Sequence, residues 1–81
     1  MMNGYSVVYD EGESVVDAVV VAAEKYYKRT GRKATLANVP KQMTDREVES
    51  ILKAGIVKEV VRKTTLRFVL VGEYVREPQA I

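Results

Sequence analysis

Eighty-one residues with a net charge of +2, no cysteine and no histidine amount to one domain with one core. They exclude disulfides, thiolate metal centres and histidine-based acid–base or zinc chemistry. Charged residues of both signs make up 30% of the chain, the mix of an ordinary soluble surface and not a nucleic-acid signature.

The start, MMNGYSVVYD, lacks the basic opening and apolar run of a secretory signal. No apolar stretch is long enough to span a bilayer, so a cytoplasmic location is expected. Abundant Glu, Lys, Arg and Val beside few Asn and Gln suits a thermostable protein. Residues 1–76 read as a single domain and residues 77–81, with Pro78, as a flexible tail.

Residues 5–9 alternate, with Tyr5, Val7 and Tyr9 on one side, and predict a first strand. Asp10, Glu11, Gly12 and Glu13 form a turn. Ser14 then reads as a helix N-cap, with Asp17 three residues on completing a capping box. The stretch SVVDAVVVAAEKYYKRTG, residues 14–31, is too long for a strand but ordinary for a helix. Five of its first eight residues are valine, each about 0.5 kcal/mol poorer than alanine in a helix, so burial has to offset them. At about 100° per residue, Val15, Val16, Ala18, Val19, Val20, Ala22, Ala23, Tyr26 and Tyr27 fill an arc of roughly 200°, about twice what a one-sided surface helix needs. Asp17, Glu24, Lys25 and Lys28 form the other side, interrupted by Val21. Lys28 and Arg29 suit the helix C-terminus, and Gly31 suits the position just past it.

Residues 34–39 predict a second strand, closed by Pro40. The next helix is framed by a Thr44–Glu47 capping box, a Met43–Val48 staple and a stop at Gly55, with Ile56 closing on Ile51. Its stripe, Val48, Ile51 and Leu52, is narrow. Residues 56–62 and 66–71 predict two strands joined as a hairpin around Lys63, Thr64 and Thr65. In the last strand Leu66, Phe68 and Leu70 face one way and Val69 and Val71 the other. Gly72 marks a bulge before residues 73–76.

The order β-α-β-α-β-β predicts a two-layer α/β (α+β) domain. Its small mixed sheet has the first three strands parallel, the last antiparallel, and both helices on one face. The wide helix arc and the two-faced last strand then demand more cover than a two-layer monomer supplies. Self-association, or a place in a larger assembly, is the expected source of that cover. The contact is expected at Val15, Val19, Val20 and Val21, or on the strand carrying Phe68, Val69 and Val71; the residues do not choose between the two. Long charged side chains lying over the extra valines would be the alternative cover.

Residues 26–40, YYKRTGRKATLANVP, followed by a short helix and GIVKEVV…LRFVLVG, resemble small α/β proteins of phage and prophage origin, many of unknown function. In those a helix ends in a Tyr…Gly-Arg-Lys-Pro-Thr-like turn and enters a strand that closes with proline; here Ala34 stands where such turns often carry proline. The resemblance covers residues 25–72. It implies an accessory or assembly role and transfers no catalytic residue.

Other chemistries find less support. Asp10, Glu11, Glu13 and Asp17 offer oxygens to a hard cation, but their spacing fits no defined calcium loop and acidic residues favour a helix start anyway, so no metal is expected. Lys25, Lys28, Arg29, Arg32 and Lys33 beside Tyr26 and Tyr27 have the composition of a phosphate-and-base contact, yet both tyrosines fall in the apolar arc and are expected in the core. A winged-helix nucleic-acid binder is the alternative function. Residues 36–48 would be its helix-turn-helix, with Arg46 and Lys53 on the recognition helix and Lys58, Arg62, Lys63 and Arg67 toward the wing. Pro40 and the short interval oppose it. Ser6, Ser14 and Ser50 sit in no nucleophile context and the glycines form no phosphate loop. The expectation is a non-enzymatic protein that needs no cofactor.

Overall fold

Local signals decide where the helices begin and end. The computed structural model describes residues 4–65 and 67–73. Within them, β1 (Gly4–Val8), α1 (Val15–Thr30), β2 (Leu36–Pro40), α2 (Asp45–Lys53), β3 (Glu59–Thr64) and β4 (Phe68–Gly72) follow in the expected order. The expected domain end at residue 76, the tail at 77–81 and the extension over 74–76 lie outside the described residues, as does Leu66.

At α2 both halves of the capping box form: the Thr44 hydroxyl accepts from the Glu47 amide, and the Glu47 carboxylate accepts from the Thr44 amide at 2.9 Å. Its C-terminus closes as a Schellman end. Gly55 takes φ +72°, its amide donates to the Leu52 carbonyl, and the Ile56 amide donates to the Ile51 carbonyl. At α1 Ser14 caps the helix, but the expected box does not form, because its oxygen takes the amide of the residue before Asp17. Ser14 Oγ accepts from the Val16 amide at 3.2 Å, while Asp17, one methylene shorter than glutamate, makes no return bond to the cap. Gly31, at φ +71°, ends α1 as expected.

The sheet order is β1-β4-β2-β3. β1, β2 and β3 run in one direction and β4 runs against them, as expected from the two helical crossovers. The hairpin expectation fails: β3 and β4 are not neighbours, because β2 lies between them. Burial explains why. β2 is buried throughout and β4 carries apolar residues on both faces, so these two take the centre. The charged β3, with Glu59, Arg62 and Lys63, takes an edge, where its unpaired side is least hazardous. β3 also starts three residues later than expected, because Ile56 closes α2, Val57 turns into the core, and the Lys58 and Glu59 amides both donate to the Thr35 carbonyl. The irregularity expected at Gly72 lies instead between Val39 and Pro40, opposite β3. Gly72 itself pairs regularly with Gly4 and Leu36.

Both helices cover one face. α1 lies across β4 and β1 and touches α2. Between helices and sheet sit Val15, Ala18, Val19, Ala22 and Tyr26 of α1, Ile51 of α2, Ala37 and Val39 of β2, and Val69 and Val71 of β4. Register puts Tyr5, Val7 and Val60 on the same face, packed against this core. The opposite face carries Val8 beside Phe68 and a row running Ser6, Leu70, Asn38, Val61. Among the described residues no helix is long and apolar enough to cross a membrane.

Candidate interaction surface on the first helix

The broad apolar arc of α1 resolves into two sides. Val15, Ala18, Val19, Ala22 and Tyr26 face the sheet and are buried. Val16, Val20, Ala23 and Tyr27, spaced four, three and four residues apart, form a second stripe about a quarter to a third of a turn away. Val20, Ala23 and Tyr27 of this stripe and Ile56, just beyond α2, line a groove of about 430 Å³ whose other lining residues are Glu24, Lys28 and Lys33, while Val16 packs against the core. Tyr27 is 58% exposed there, one of the few large apolar side chains left outside among the described residues. An apolar floor with a charged rim is the anatomy of a protein–protein contact.

The residues expected at an interface divide accordingly. Val15, Val19, Val69 and Val71 belong to the chain's own core, the last three fully buried, so that part of the expectation is corrected: α1 and the sheet already consume them. Val20 lines the groove. Val21, 42% exposed, lies beyond it on the flank shared with Asp17 and Lys28. Phe68 lies half-buried on the helix-free face of the sheet, beside the exposed Val8.

The tyrosines also part company. Tyr26 is in the core, where its hydroxyl donates to Glu73 Oε1 at 3.0 Å, and Glu73 Oε2 pairs with Arg32 at 2.7 Å. Burial, and then the Glu73 carboxylate, raise the Tyr26 pKa above its ordinary value. Tyr27 points outward, against the expectation that both lie inside. Successive residues on a helix are turned by about 100°, so a single core cannot take both phenols. That rule was the signal that would have revealed the groove. Ala23 and Ile56 were missed with it, the latter because it reads equally well as the start of a strand.

The winged-helix arrangement is absent. Leu36–Pro40 is a strand where the first helix of the motif should be, and β3 and β4 form no wing. Arg46 and Lys53 share one side of α2 two turns apart with the acidic Glu49 between them. Arg62 is engaged by Asp45 at 2.7 Å and by the Met43 carbonyl, and Arg67 lies 3.7 Å from Glu11. Lys58 and Lys63 are exposed, in the loop before β3 and on β3 itself. In the acidic turn, Glu13 accepts from the Asp10 amide, and the described residues bring no three acidic groups into a metal-holding cluster. Compared with known proteins, the chain matches no family, no curated protein and no solved structure.

Proposed function

We propose that this chain is a non-enzymatic interaction protein that self-associates and serves as an accessory or assembly subunit of phage or mobile-element type. Mutual burial of apolar surface drives the contact, with no cofactor. The observation that carries the reading is the second apolar side of α1, where Val20, Ala23, Tyr27 and Ile56 form a groove the fold leaves open. The occupant that suits it is a second copy, because its rim carries both signs of charge, Glu24 against Lys28 and Lys33, and is therefore complementary to itself. The resemblance of residues 25–72 to small phage proteins supports the accessory role.

Light scattering or sedimentation at micromolar concentration tests this directly. The expected mass is above the 9.1 kDa of one chain, and Val20→Asp together with Tyr27→Asp should return the species to that mass without altering the circular dichroism spectrum. A strict monomer across the accessible concentration range would overturn the reading.

A further inference from the structure

α1 is electrically polarised along its length. Asp10, Glu11, Glu13 and Asp17 crowd its N-terminal end, and Lys25, Lys28, Arg29, Arg32 and Lys33 its C-terminal end. Part of that charge is neutralised inside the molecule: Glu11 faces Arg67 and Arg32 binds Glu73. Asp17 and Lys28 form no ion pair among the described residues and are exposed. They stand three turns apart on one flank of the groove-lining stripe, and Ala23, the smallest residue of the stripe, lies about midway between them.

We infer that two copies meet across a two-fold axis at Ala23, with their α1 helices antiparallel and Asp17 of each beside Lys28 of the other. The inference rests on the self-association reading and supplies its geometry. Antiparallel placement sets the acidic end of one helix against the basic end of the other, whereas parallel placement would stack like charges. With Ala23 near its own symmetry mate, Val20 falls against the turn that carries the partner's Tyr27, and Asp17 reaches the partner's Lys28. In an antiparallel pair related by a two-fold axis, the same flank of each helix meets, so both ion pairs form at once. A small residue at the crossing lets the axes approach to about 8 Å, the close end of ordinary helix packing.

The cysteine-free chain allows a direct test in the full-length protein. Ala23→Cys should form a disulfide-linked dimer on mild oxidation, while Glu49→Cys on the outer side of α2 should not. Asp17→Lys and Lys28→Asp should each weaken the dimer roughly tenfold or more, since a reversed charge meets its like twice in the symmetric complex, and the two changes together should restore it. Both side chains are exposed, so unchanged circular dichroism is expected to confirm folding. If the wild type is dimeric but the single reversals leave its dissociation constant unchanged, or Ala23→Cys links no better than Glu49→Cys, the geometry is overturned while self-association stands. A monomeric wild type overturns both.

Discussion

Two adjacent phenols show how little separates a core residue from a surface one. Tyr26 spends its hydroxyl on Glu73, and the Arg32 guanidinium holds that carboxylate from the other side, tying the end of α1 to the residue just after β4. Tyr26→Phe keeps the ring and removes the donor to a mostly buried carboxylate, so a loss of about 1–2 kcal/mol in chemical denaturation is expected. The pH dependence has a definite sign. Folding raises the Tyr26 pKa, chiefly by burial, so the neutral phenol is favoured in the native state. Its contribution is complete below about pH 10, the unfolded value, and is lost as pH rises toward and through the higher native one. Tyr9 is raised for a similar reason, by burial and then by the Glu47 charge. The alkaline fall in stability should therefore become shallower in Tyr26→Phe without vanishing, and an unchanged alkaline limb would contradict this assignment.

At the level of elements, the helices were readable because their signals are local. Thr44, Glu47 and Gly55 act within a few residues of themselves, and the reciprocal cap and the left-handed stop both form where the residue types demand them. The difference between the two helix starts is itself measurable. Thr44→Ala removes two bonds of the Thr44 hydroxyl, the one it accepts from the Glu47 amide and the one it donates to the Glu47 carboxylate, whereas Ser14→Ala removes a single bond at 3.2 Å. Thr44→Ala should lower stability by about 1–2 kcal/mol and Ser14→Ala by roughly half as much, read as shifts in urea midpoint at constant slope. Equal effects would mean that Asp17 completes the first box in solution. The pairing of strands was less readable because it is not local. Short loops favour hairpins, and the three residues between β3 and β4 suggested one. The stronger preference was for placing the most apolar strands centrally, and the charges of Glu59, Arg62 and Lys63 carried the decisive information. The candidate surface was half legible. The excess apolar width of α1 was plain, but which valines it represented depended on the helix's orientation over the sheet, and only Val20 of the expected helix contacts lines the groove.

For the molecule as a whole, the issue is how a cysteine-free domain of this size holds together. Its core consists largely of valine and alanine, with Ile51, Met43 and Tyr26 as the bulkier members, and domains of this length are typically stable by only about 4–12 kcal/mol. The proposed association would add to that margin in proportion to the logarithm of concentration. Over the range in which the dimer forms, the midpoint of thermal unfolding should rise by a few degrees per tenfold increase in protein concentration. The α1 groove variants should lose this dependence while retaining a cooperative transition. A midpoint independent of concentration in the wild type would place the reinforcement entirely within the single chain.

The position of β4 also constrains the order of assembly. It is the last described strand to be synthesised, yet it lies between β1 and β2 and supplies the ladder partner of β1 along its whole length. A nascent chain that has emerged only as far as β3 can pair β2 with β3 through α2, but its first strand has no neighbour to bind. β1 and α1 must therefore wait, with the valines of α1 uncovered, until β4 leaves the ribosome. Folding is then completed by a late insertion that joins both halves, and a product ended before β4 would leave the apolar side of α1 without the strand it packs on most.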